Sequence, residues 1–76
     1  MEKKDEELIR RWIGKDPELK ARYYEHLAYE KRLEELRSKP IISSHDELEI
    51  KRIKKLKLAG RDRIEQILEK YRKMES

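Results

Sequence analysis

The sequence predicts an all-α protein, an antiparallel helical hairpin with coiled-coil character preceded by a short N-terminal helix. Three observations carry that expectation. Two long tracts repeat apolar or aromatic residues at steps of three and four, the spacing of one helix face. A proline-containing break, Ser38-Lys39-Pro40, separates them. The first long tract opens on Asp16-Pro17-Glu18, a strong helix start, after a shorter amphipathic stretch.

The short stretch places Leu8, Ile9, Trp12 and Ile13 at i, i+1, i+4 and i+5, which predicts a helix over about residues 4–13. Gly14 prepares the break at residue 15. Asp16 can then cap free backbone N–H groups, and Pro17 at the first helical position lacks a donor that would be orphaned anyway. From there Leu19, Tyr23, His26, Tyr29, Leu33 and Leu36 form the seam of a helix over about 16–38. Lys39 precedes a proline and is pushed out of the helical region, which ends it. Ile41 and Ile42 fall in the connection. Ser44 with Glu47 three residues on reads as a capping box, opening a last helix over about 45–74. Its seam is Ile50, Ile53, Lys57, Gly60, Ile64, Ile67, Tyr71 and Met74, stepping three and four throughout.

Glu-to-Lys/Arg pairs at i, i+4 recur along these tracts, among them Glu7–Arg11, Glu18–Arg22 and Glu69–Lys73. Each adds about 0.2–0.5 kcal/mol to a helix. They support helix formation and carry no functional information.

Long helices joined by a short loop become antiparallel neighbours. With the turn centred between Ile41 and Ile42, facing residues have numbers adding to about 83. Leu33 then meets Ile50, Leu19 meets Ile64, and Trp12 meets Tyr71. Tyr23 faces Gly60, a large ring over a missing side chain, with a helix kink at Gly60 as the alternative. His26 faces Lys57, with Glu30 one turn away. The two polar seam positions therefore fall in one layer, which would fix the register of the hairpin more than its stability.

Seventy-six residues make one domain, 1–76, and a core of this size rarely supplies more than about 3–5 kcal/mol. No cysteine is present to staple it. The opening Met1–Glu7 has no apolar stretch behind it, which predicts no signal peptide, and no apolar run exceeds three residues, far short of a membrane span. A cytoplasmic protein is the expectation. Half the residues are charged, asparagine is absent and Gln66 is the one glutamine, a bias shared with proteins that work hot.

The residues Pro17, Tyr24-Glu25-His26 with Tyr29, Glu30 and Leu33, then Ile53-Lys54-Lys55, Lys57-Leu58, Arg61-Asp62 and Ile64 together resemble the YdcH-like family. These are small bacterial proteins grouped as a domain of unknown function. The likeness covers roughly residues 9 to 71, and the Lys-Lys-x-Lys-Leu-x-x-Arg-Asp stretch is its most specific part. It implies a short helical hairpin with coiled-coil character and no established activity. Two positions depart from the pattern: Gly60, where relatives often carry leucine, and Leu56, where they often carry a polar residue.

Nothing in the sequence calls for catalysis, a cofactor or a metal. His26 and His45 stand on different elements, without cysteine and without ligand spacing. The serines sit at a helix end, in the connection and at the terminus, where capping explains them. Two lone glycines cannot form a phosphate-cradling loop. The asymmetric feature is charge: between Lys51 and Arg63 seven basic residues face one acid, Asp62. At about 100° per residue, Lys51, Arg52, Lys55 and Arg63 share one arc and Lys54, Lys57 and Arg61 another, on either side of the seam. That suits pairing with the neighbouring helix better than a single phosphate-binding stripe.

The expected function is accordingly a non-enzymatic protein–protein interaction or structural module. It would bind itself, as a dimer or small oligomer, or another helical protein. The residues pointing that way are Leu27, Leu48, Leu56, Leu58 and Leu68 beside the seam. The alternative is an accessory nucleic-acid binder using the basic segment 51–63, with Lys51, Arg52, Lys55 and Arg63 as contacts to an anionic partner.

Overall fold

The computed structural model describes residues 2–75. Three helices follow one another, α1 over Lys3–Trp12, α2 over Pro17–Arg37 and α3 over Ser44–Glu75. Helices α2 and α3 form the hairpin, and the molecule measures 48 × 20 × 17 Å. The long dimension is that of α3 itself, since 32 residues rising about 1.5 Å each span the same length. No helix among the described residues is long and apolar enough to cross a membrane.

Each helix boundary has a local cause. Asp16 takes an extended backbone and its Oδ1 accepts from the Leu19 N–H at 3.1 Å, with Pro17 opening the helix. Ser38 closes α2, its N–H donating to Glu34 O and its hydroxyl to Glu35 O. Helix α1 carries Asp5 and Glu6 in its first turn and Arg10 and Arg11 in its last, each sign matched to the helix dipole.

The cap of α3 lies one residue earlier than the expected Ser44–Glu47 box. The Asp46 N–H donates to Ser43 Oγ at 3.1 Å, while the Ser43 N–H donates to Asp46 Oδ2 at 3.1 Å. Both serines are followed three residues later by an acid, so spacing alone did not separate them. Lys39 decides it from the far side of the loop, donating to Asp46 Oδ1 at 3.0 Å.

The seam divides into two apolar clusters. Near the turn, Leu33, Leu36 and Ile53 are buried, with Tyr29 and Ile50 packed beside them. At the open end, Leu19, Ile64, Ile67, Leu68 and Tyr71 join Leu8 and Ile9 of α1. Trp12 stacks on Tyr71 with ring centroids 4.3 Å apart and planes 12° apart, as the register required. Met74, expected in the seam, is exposed.

Ion pairs on one edge keep the same register over two heptads. Arg32 grips Glu49 with two hydrogen bonds of 2.6 and 3.2 Å, and Arg63 grips Glu18 with two of 2.6 and 3.3 Å. Fourteen residues separate Glu18 from Arg32, and fourteen separate Glu49 from Arg63. A shared step of two heptads on antiparallel helices is the mark of a 3.5-residue repeat. Glu18 and Arg11, expected to pair along their own helices, thus pair across to α3, Arg11 with Glu75. A fixed partner on a packed neighbouring helix outcompetes the weak i, i+4 contact.

Candidate functional site

Between the two apolar clusters lies a layer of polar side chains from both long helices. His26 points inward from α2 and is buried; its Nε2 lies 3.1 Å from Glu30 Oε1. Lys57 reaches the same oxygen from α3, with Nζ at 3.4 Å. The three residues read from the sequence as one layer are thus brought together, with Glu30 as the shared partner. Glu30 is half exposed, so water reaches the carboxylate and screens the pair with Lys57.

His26 Nδ1 is buried and has no hydrogen-bond partner among the described residues. A neutral imidazole with its proton on Nε2 fits this geometry, donating to Glu30 and leaving Nδ1 a bare lone pair. Protonating Nδ1 would create a buried N–H with nothing to receive it. Burial therefore holds the His26 pKa below its ordinary 6.5, and nearby Lys57 pushes it the same way, against the pull of Glu30.

The expected packing of Tyr23 over Gly60 does not occur. A Cβ built on Gly60 would meet one atom within 4 Å, Oε1 of Glu25, at 3.8 Å. Tyr23 packs, partly buried, against the open-end cluster. The register placed the two residues opposite one another, but no atom of Tyr23 comes within 4 Å of the Gly60 Cβ position. Gly60 remains buried, inside an uninterrupted α3.

Helix α1 overturns a second expectation. Leu68, counted among the unpartnered leucines, is fully buried with Leu8 and Ile9 against it. Position 68 flanks the seam of α3, and α1 lies along that flank. Leu27, Leu48, Leu56 and Leu58 stay exposed, at 39%, 66%, 46% and 60%.

The basic segment does not act as one group. Arg63, read as a contact for an anionic partner, is committed to Glu18 and also donates to Gln66 Oε1 at 3.1 Å. Lys51, Arg52 and Lys55 are exposed and form no ion pair among the described residues. On the opposite flank, Lys54, Lys57 and Arg61 line a depression of about 230 Å³ together with Arg37 of α2, Leu33 and Leu58. The convergence of Arg37 with Lys54 and Arg61 escaped the sequence reading. Its only signal was the shared arc of Lys54, Lys57 and Arg61, which does not show what α2 brings alongside.

The depressions beside these residues are shallow grooves between helices. No family model, curated protein or solved structure matches the chain.

Proposed function

We propose that this chain is a non-enzymatic interaction module, a rigid hairpin that binds protein through helix faces left uncovered by its own fold. The observation that carries the reading is the set of four exposed leucines, Leu27, Leu48, Leu56 and Leu58, on helices that already pack against each other. Fully burying an exposed leucine is worth roughly 1.5–3 kcal/mol, and covering the part of each that is still exposed would contribute a share of that, which a second hairpin in a four-helix bundle would supply. The likeness to the YdcH-like family supports the same reading, since that family is of small helical hairpins without established activity. Scarce amides and the ion pairs between α2 and α3 fit a protein that works hot in the cytoplasm.

Sedimentation equilibrium tests the self-associating form. The expected result is a dimer or small oligomer that dissociates when Leu56 and Leu58 are changed together to lysine with helicity retained. A species of 9.4 kDa at several hundred micromolar excludes self-association. Retention on the tagged chain from a native lysate, with and without nuclease, then decides between a protein partner and the nucleic-acid alternative. Retention that nuclease abolishes overturns the protein-binding reading.

A further inference from the structure

We propose that the open stretch of the groove between α2 and α3, next to the turn, is a docking seat for an acidic amphipathic helix of a partner protein. The inference rests on the interaction-module reading and names where and by what chemistry a partner binds. Its basis is a stripe on α3 that the molecule itself uses at one end and leaves empty at the other.

Lys54, Lys57, Arg61, Glu65, Leu68 and Arg72 follow one another at steps of three and four along one flank of α3. At the open end of the hairpin this flank is occupied. Helix α1 lies on it, burying Leu8 and Ile9 against Leu68 and setting Asp5 on Arg72. The hairpin thereby holds an amphipathic helix by two contacts, leucine or isoleucine in the seam and a carboxylate on a flanking arginine. Glu6 of α1 reaches as far as Tyr23, His26 and Glu30 on α2, and the covering ends there.

The next two turns toward the loop repeat the same two features without an occupant. Leu58, 60% exposed, supplies apolar surface above the buried Leu33, and Arg37, Lys54 and Arg61 surround it with cationic groups that have no ion-pair partner among the described residues. Lys57 is the exception, held by Glu30. A helix entering end to end with α1 would set apolar residues on Leu58 and carboxylates on the three free cations. That is helix-in-groove recognition with charge complementarity. A phosphate polymer fits less well. Its backbone carries no apolar side chains to cover the exposed Leu58, whereas the apolar face of a helix does.

Fluorescence anisotropy with the full chain tests the seat. The probe is a labelled amphipathic peptide with leucines at helical spacing and glutamates flanking them. Its twin carries lysine for glutamate, and a single-stranded RNA oligomer of similar length is the third probe. At about 150 mM salt, where long-range attraction is screened, the acidic peptide is expected to bind and the lysine twin is not. Changing Arg37, Lys54 and Arg61 together to glutamate should weaken binding by about tenfold or more. The same charge reversal at Lys51, Arg52 and Lys55 should weaken it by less than about threefold. If circular dichroism shows that either variant loses helicity, the glutamine versions replace it. Equal losses in the two variants, no binding of the acidic peptide, or tighter binding of the RNA would each overturn the proposal. Failure here with self-association through the leucines intact removes the seat and leaves the broader reading standing.

Discussion

The hydroxyl of Tyr71 donates to Oδ2 of Asp16, the residue whose other oxygen caps α2. One carboxylate thus starts a helix and ties it to the far end of the chain. The contact sits beside the Trp12–Tyr71 stack, which Lys15 and Lys70 cover from their ring faces at 5.3 and 4.7 Å. It recurs in register with the polar layer. Fourteen residues separate Asp16 from Glu30 and fourteen separate Lys57 from Tyr71, so both contacts lie on one line of the two-heptad repeat.

Tyr71→Phe keeps the stack and removes the hydroxyl. Hydrogen bonds to charged groups contribute about 1.5–3 kcal/mol, and partial exposure places this one at the lower end. Chemical denaturation should show a loss of about 1–2 kcal/mol, with most of it absent when Asp16 is already alanine. Tyr71 holds the Asp16 carboxyl below its ordinary 3.8, and Asp16 raises the phenol in turn. The stability Asp16 contributes is present above pH 3.8 and is lost as pH falls through its lowered value. An unchanged midpoint for Tyr71→Phe would show that the bond contributes nothing.

Ser43→Ala and Ser44→Ala distinguish the two possible caps of α3. The first should cost about 0.5–2 kcal/mol and the second less than about 0.5. Thermal melts giving the reverse order would return the cap to Ser44. Lys39 and both Ser43 groups bring the Asp46 carboxyl down to about 2. Its share of stability is therefore complete above pH 3.8 and disappears between there and about 2, a window that Asp46→Asn should flatten.

Gly60→Ala should stabilise the protein. The new methyl would meet only the end of the Glu25 side chain, at an ordinary contact distance. Glycine inside a helix costs about 1 kcal/mol relative to alanine, so the gain should approach that figure. A melting temperature lowered by the substitution would show a close contact at this position, as packing under Tyr23 would have required.

His26 makes stability fall below neutrality. The unfolded chain takes up a proton near pH 6.5, whereas the folded one does so only at lower pH. Between the two values the unfolded state binds more protons, so stability declines as pH drops from 6.5 toward the folded value. The charged groups nearest the ring are Glu30 and Lys57, and Glu6 of α1 lines the same depression. Denaturation midpoints at pH 7.5 and 5.5 should differ for the native chain, and that difference should shrink in His26→Leu. NMR titration of the ring checks the direction independently, and a midpoint above 6.5 would contradict it.

Much of this molecule is legible in one dimension. The apolar spacing placed three helices within a residue or two of where they lie, because that periodicity reflects which face must leave water. Asp16 and Pro17 mark a boundary by chemistry that acts within one turn. The antiparallel register followed from a short loop and two heptad seams, and with it came the Trp12–Tyr71 stack and the meeting of His26, Glu30 and Lys57.

What the tertiary structure alone decided concerns the flanks. A heptad pattern defines the seam but does not say which side a third helix will cover. So Leu68 reads as surplus until α1 joins its cluster, and Tyr23 reads as covering Gly60 although the structure puts only Glu25 near that position. Long charged side chains are equally undetermined, since arginine and glutamate reach several partners and settle on those a neighbouring helix holds in place. That choice took Arg63 out of the exposed basic group, tied Asp46 to Ser43 and Lys39, and gathered Arg37 with Lys54 and Arg61 around an open groove.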